Sequence, residues 1–255
     1  MDSRCLWIAL FFSCALWAVA SGDQDGFLSL SCGADSGFTD SSNITWISDS
    51  NYVSSGNTTA IDLPANGSSS HVPLRFFPNS GDRICYRLPI YNASSLVLVR
   101  IRFVYNNYDR ANNPPMFFVS LGTSIAATVN LTILDPQIEE FIWPLNMGII
   151  PLCLLSIPGS GYPVISTIEI RPLPQNAYRS GLEDFPNTLL RKRYRINCGH
   201  TNGLLRYPFD PFDRVWDVDE NFSPSHKSSG LTSQLSFNAT SIDEIPPIII
   251  LQSAR

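Results

Sequence analysis

One pattern occurs twice in this chain. Leu30-Ser31-Cys32-Gly33 is followed by Trp46-Ile47-Ser48-Asp49, and Ile196-Asn197-Cys198-Gly199 is followed by Trp216-Asp217-Val218-Asp219. Both copies read apolar, polar, Cys, Gly, then Trp-x-x-Asp. Cys32 and Cys198 lie 166 positions apart, and Trp46 and Trp216 lie 170 apart. Internal similarity at that spacing describes two copies of one domain. The first copy is expected over 27–172, a linker over 173–193, and a second copy from 194. A second copy as long as the first would run far past Arg255, so the second lobe is expected to be incomplete. Its strand edges would then be open to aggregation unless the first lobe covers them.

The local patterning is that of strands. Helical periodicity is almost absent. Ser95 to Tyr105 alternates in its second half, with Arg100 and Arg102 on one face and Ile101, Phe103 and Tyr105 on the other. Further runs are Met116–Leu121, Thr128–Leu134 and Val164–Arg171. In the last, Val164, Ser166, Ile168 and Ile170 share one face, and Ile165, Thr167, Glu169 and Arg171 the other. Gly, Pro, Asn and Asp punctuate the gaps. Many short strands with turns between them predict an all-β sandwich or jelly roll.

The chain is expected to enter the secretory route. Residues 1–20 read as a signal peptide: Arg4, an apolar run from Leu6 to Val19, and Ala18-Val19-Ala20 as a small-x-small cleavage site. No later segment reads as a membrane span, because Pro144, Gly148, Pro151 and Pro158 interrupt the greasy stretch 141–157. Asn-x-Ser/Thr sites occur at Asn43, Asn57, Asn66, Asn92, Asn130, Asn221 and Asn238. Four cysteines follow the signal: Cys32, Cys85, Cys153 and Cys198. They allow three disulfide connectivities. The preferred bridge is Cys85–Cys153, since both lie in strand-like runs.

Composition removes several function classes. Only 15% of residues are charged, against about 25% in an average soluble domain. The formal net charge is −5, so nucleic acid is not an expected partner. The basic run Arg191, Lys192, Arg193 and Arg195 reads as a solvated linker. No catalytic constellation is found. His71, His200 and His226 lack metal-ligand spacing. Glu139 and Glu140 would point to opposite faces of a strand and cannot flank one glycosidic bond. Asp213, Asp217, Asp219 and Glu220 are the other acidic group. No cofactor and no metal site are expected.

Ordered motifs carry a family resemblance. Ser31-Cys32-Gly33, Thr45-Trp46, Arg75-Phe76-Phe77-Pro78, Cys85-Tyr86, Leu98-Val99-Arg100, Tyr108-Asp109, Cys153-Leu154 and Ile168-Glu169-Ile170-Arg171-Pro172 occur in sequence. The chain resembles the malectin-like ectodomain of plant leucine-rich-repeat receptor kinases. Arg206-Tyr207-Pro208, Asp210-Pro211 and Asp213-Arg214-Val215-Trp216 resemble the opening of that ectodomain's second lobe. The resemblance implies two β-sandwich lobes placed outside the cell, in the apoplast. The relatives' leucine-rich repeats, membrane helix and kinase find no counterpart in 1–255.

The resemblance also implies a recognition role. The expected partner is a cell-wall glycan, a peptide or another ectodomain. Animal malectin, a distant relative, binds glucosylated N-glycans through loop aromatics. By that analogy Tyr105, Tyr108 and Asp109 are the candidate ligand contacts, although Asn106 replaces the second member of malectin's aromatic pair. Trp46 and Trp216 are expected to pack core or lobes, Asp49 and Asp219 to cap a turn, and Trp143 to pack. The alternatives are a secreted, non-signalling decoy or incomplete gene product, and a cell-wall glycosidase.

Overall fold

The computed structural model describes residues 24–65, 68–78, 81–90, 96–144, 148–178, 182, 188–200, 203–219, 246–247 and 250. Residues 1–20, expected to be a signal peptide, lie outside them. The described residues form sixteen strands. These are β1 (Leu28–Ser31), β2 (Phe38–Thr39), β3 (Thr45–Ser48), β4 (Asn57–Ala65), β5 (Ser68–Phe76), β6 (Arg83–Pro89), β7 (Leu96–Phe103), β8 (Met116–Leu121), β9 (Ser124–Asn130), β10 (Gln137–Pro144), β11 (Ile149–Ser156), β12 (Val164–Ile165), β13 (Thr167–Leu173), β14 (Leu190–Arg191), β15 (Ile196–Asn197) and β16 (Asp217–Val218).

A seven-stranded sheet, ordered β14-β10-β7-β13-β1-β3-β2, faces a four-stranded sheet, β6-β11-β8-β9. A three-stranded sheet, β12-β5-β4, adds Ile61 and Leu74 to the same core. The two main sheets meet through apolar side chains that alternate along each strand. Val97, Val99, Ile101 and Phe103 of β7 point into this core, and Phe103 meets Phe117 of β8 edge-on at 5.5 Å.

Strand β7 is central and nearly all buried, on both faces. Its other face carries Leu96 and Leu98, which pack with Ile142, Leu173 and Ala177. Half-buried Leu190 and Phe212 close over them. The segment after lobe one therefore folds back over the outside of the large sheet. Leu190 and Arg191, expected in the linker, pair with β10 and extend the sheet instead. The strand expected over 128–134 ends at Asn130, because Thr132 and Asp135 form a side-chain-closed turn there, with Asp135 N–H donating to Thr132 Oγ1 at 2.9 Å.

Cys85 and Cys153 are directly opposed on β6 and β11 and joined by a disulfide. Their neighbours Ile84, Tyr86, Leu152 and Leu154 fill the core, so the bridge lies on the sheet's outer face.

The sequence repeat is also a structural repeat. Strand β1 pairs in parallel with β3, matching Leu30 with Ile47 and Ser31 with Ser48. Strand β15 pairs in parallel with β16, matching Ile196 with Asp217 and Asn197 with Val218. Gly33 and Gly199 both have φ near +85°, at +85° and +84°. That left-handed backbone favours glycine. A Cβ on Gly33 would also lie 2.4 Å from the Leu74 carbonyl oxygen.

A candidate recognition site between the lobes

The repeated Trp-x-x-Asp organises each lobe's opening. Asp49 is fully buried; it accepts from Gly33 N–H at 3.0 Å and Tyr86 O–H at 2.8 Å. Arg75 grips it through Nε at 2.7 Å and Nη2 at 2.8 Å. Burial pushes the Asp49 carboxyl up, but Arg75, the Gly33 amide and the Tyr86 hydroxyl outweigh this and hold it below its ordinary value. Asp219 accepts from Gly199 N–H at 3.0 Å in the same way. Trp46 Nε1 donates to Asp40 at 2.9 Å, and Trp216 Nε1 to Asp210 at 2.8 Å.

The lobes meet over a stripe of charge. Register places Glu140 of β10 and Glu169 of β13 on either side of Arg100 of β7. Arg100 donates to Glu140 at 2.9 Å and to Glu169 at 3.0 Å. Arg195, Arg206 and Asp213 lie over this stripe. Arg195 donates to Glu140 at 2.6 Å and to the Tyr178 hydroxyl at 2.7 Å. Arg206 donates to Glu169 and to Asp213, each at 2.6 Å. Asp213 also accepts from Arg171 Nε at 2.7 Å, while its carbonyl accepts from Arg100 Nη2 at 2.6 Å. Burial raises the Asp213 carboxyl, yet the Arg206 bonds and the fields of Arg171 and Arg100 drive it far below the ordinary range.

Such a network is costly to desolvate and more costly to break, because each lost partner strands a buried charge. It therefore fixes where the segment sits. An apolar contact adds to it: Trp46 and Ile44 pack with Tyr207 and Phe27, and Arg171 lies over the Phe27 ring at 4.5 Å. Trp46 thus serves lobe packing, and Trp143 is half-buried against the main core.

Beside this junction runs a groove of about 420 Å³. Its lining includes Lys192, Arg193, Tyr194, Arg214, Trp216 and Pro246. The guanidinium groups of Arg195 and Arg214 lie 5.8 and 5.5 Å from the Trp216 ring centroid. Arg191 is spent on Glu139, with two contacts of 2.7 Å. The basic run is divided: Arg193 is exposed and Lys192 part-exposed, as a solvated stretch would be. Arg195 is buried in the network, and Arg191 belongs to a strand. Nothing local in the sequence signals this, because the partner carboxylates are more than fifty positions away.

The three candidate ligand contacts come together: Tyr105 is buried, Tyr108 is part-buried and Asp109 is exposed. Tyr105 is 1% exposed. Its hydroxyl donates to Asp109 at 2.6 Å and accepts from Asn113 N–H at 3.1 Å, which shapes the loop. Tyr108 packs against Phe76 with the rings tilted and their centroids 4.9 Å apart, and it meets Tyr105 edge-on at 5.6 Å. Burial, with the charge of Asp109, pushes the Tyr108 hydroxyl well above its ordinary range. The Tyr105 ring is covered, and the Tyr108 ring is part-exposed.

The carboxylates are dispersed. Glu139 faces Arg191 and Glu140 faces Arg100 and Arg195. Asp213 sits in the network, Asp217 lies 3.7 Å from Lys192, and Asp219 holds Gly199. Glu220 and His226 lie outside the described residues. Among the described residues no three His, Cys, Asp or Glu side chains converge as metal ligands. Asn43, Asn57 and Asn130 are exposed; Asn66, Asn92, Asn221 and Asn238 lie outside the described residues.

The family model for the malectin-like domain matches residues 30–255. The chain belongs to the malectin-like family. A probable leucine-rich repeat receptor-like protein kinase of Arabidopsis thaliana is 33% identical to this malectin-like chain over 245 residues, covering 92% of it and 26% of the relative. A probable LRR receptor-like serine/threonine-protein kinase of the same plant is 35% identical over 218 residues, covering 81% and 24%. The chain spans about a quarter of the length of these relatives. Among solved structures, the ANX2 ectodomain from Arabidopsis thaliana superposes with a TM-score of 0.63 at 20% identity, over 83% of this chain and 59% of that one. A structure of the plant peptide RALF23 in complex with FER and LLG2 gives 0.62 at 21% identity, over 85% and 60%. At these identities the structural likeness speaks to fold, and the fold is that of receptor-kinase ectodomains. Among the described residues no helix is long and apolar enough to cross a membrane.

Proposed function

We propose that this malectin-like chain is an extracellular recognition module that binds a peptide or a partner ectodomain. The observation that carries this reading is the buried Arg100–Glu140–Glu169–Asp213 network. It locks the opening of the second lobe against the first and leaves a rigid groove beside the junction. Rigid placement limits the ordering cost of binding. A fold neighbour has been solved with a peptide and a second protein bound, which is consistent with this use of the scaffold. The burial of Tyr105, the one of the candidate aromatics that is fully covered, favours peptide or protein over glycan as the ligand. Secretion after cleavage near Ala20, with glycans on the exposed Asn43, Asn57 and Asn130, belongs to the same proposal.

Isothermal titration of the purified secreted chain tests it. Candidate apoplastic peptides and receptor ectodomains form one arm, and cell-wall oligosaccharides the other. Saturable binding in the first arm supports the proposal. Saturable binding only to sugars overturns it. Release of glycans by an N-glycosidase, read by mass, tests the secretory route separately.

A further inference from the structure

We infer that the partner contributes an extended, acidic peptide segment that pairs as an added strand on the outer edge of β14; this rests on the recognition reading above. Strand β14 is the last strand of the seven-stranded sheet. Lys192 N–H donates inward to the Glu140 carbonyl at 2.8 Å. Alternate residues of an antiparallel strand direct their backbone groups to opposite sides. Arg191, between the paired Leu190 and Lys192, therefore directs its N–H and C=O outward. Among the described residues no strand pairs with that side. A peptide backbone carries the matching N–H and C=O groups at the strand repeat, and a polysaccharide does not.

The side chains around this edge select charge. Arg191 and Arg195 are engaged by Glu139 and Glu140. Lys192 has Asp217 at only 3.7 Å, and Arg193 is exposed and has no ion pair among the described residues. The edge thus keeps surplus positive charge in a chain whose net charge is −5. Basic side chains on a short edge deter pairing with another copy of the same edge. The same charge attracts an acidic strand and rejects a basic one. Tyr194, 72% exposed, and the Arg-flanked Trp216 ring supply apolar contact beside it.

The test is fluorescence anisotropy with a labelled alternating Glu-Val octapeptide. Its Lys-Val counterpart and a Glu-Val peptide N-methylated along both backbone edges are the controls. The Glu-Val peptide is expected to bind, to weaken as salt rises, and to lose about tenfold or more in affinity for K192E/R193E. That variant is expected to gain affinity for the Lys-Val peptide. N-methylation is expected to abolish binding, since it removes strand pairing and keeps the charge. Lys192 adds to the field that holds Glu140 charged, so K192E/R193E is expected to melt lower than wild type, while R193E alone, with no ion pair among the described residues, should keep the wild-type midpoint and still lose Glu-Val affinity. Equal binding of the Glu-Val peptide by wild type and K192E/R193E overturns the inference, as does equal binding of the N-methylated peptide. A peptide or ectodomain that binds both proteins alike overturns the edge while leaving the recognition reading standing. Saturation only by an acidic oligouronide, with no peptide bound, overturns both.

Discussion

Arg75 holds Asp49 through two nitrogens, at 2.7 and 2.8 Å, in a setting where the carboxylate is wholly buried. A planar guanidinium fork matches a carboxylate in this way and a lysine does not. Asp49→Asn leaves Arg75 buried beside a neutral amide and replaces one of the two oxygens that accept from Gly33, Tyr86 and Arg75 with an NH2 donor. The expected loss is roughly 3–5 kcal/mol of unfolding free energy, read from urea denaturation with the slope unchanged. A loss below 1 kcal/mol would show that the pair is replaceable.

The interlobe network predicts a graded response. Asp213 is fully buried, while the Arg206 side chain is 25% exposed. Asp213→Asn strands Arg171 and Arg206 and is expected to cost several kcal/mol. Arg206→Ala lets water reach the remaining carboxylates and should cost less. Native-state hydrogen exchange distinguishes this local lock from global stability. The Leu205 and Trp216 amides, which bond to each other's carbonyls at 3.0 and 2.8 Å, should lose protection in Asp213→Asn before those of β7. Simultaneous loss in β7 would mean that the network stabilises the first lobe rather than the junction.

These residues show how far the sequence could be read. The alternation around Arg100 is local, so its two faces were legible, as was the repeat, because Gly33 and Gly199 need the same left-handed turn. The opposition of Cys85 and Cys153 followed from two strand-like runs. What Arg100 does was not legible. Its acceptors are Glu140, Glu169 and Asp213, and the last is 113 positions away. Only the folding of the second lobe's opening over the sheet brings it close. The burial of Tyr105 was not legible either. A tyrosine at a strand end looks like a loop aromatic, and its burial depends on a loop closed by Asp109 and Asn113.

Cysteine chemistry separates the two copies of the repeat. Cys32 is buried, and burial followed by the charge of Asp49 pushes its thiol well above the ordinary range. Thiolate is the reactive form, so Cys32 should resist labelling. Cys198 is exposed. For a chain beginning at Ser21, native maleimide labelling should modify Cys198 alone, urea should add Cys32, and reduction in urea should add Cys85 and Cys153. Labelling of Cys32 in the native protein would contradict the closed packing of Asp49, Arg75 and Tyr86 around it.

Acid should open the same places. Asp49, Glu140 and Asp213 are each raised by burial and then carried below their ordinary values by arginines and hydrogen bonds. In the unfolded chain they take up protons near 3.8 for the aspartates and 4.5 for the glutamate. The unfolded state then binds more protons than the native one, so falling pH favours unfolding. The stability these groups supply is complete above about pH 5 and is lost progressively below it, down to their folded values. Thermal midpoints are therefore expected to be flat through neutral pH and to fall steeply below pH 4. Asp213→Asn should start lower at neutral pH and fall less steeply, because one depressed carboxylate is gone. A wild-type midpoint that stays level to pH 3 would mean that the buried carboxylates are not held as charged groups, and the ion network would lose its role as the lock between the lobes.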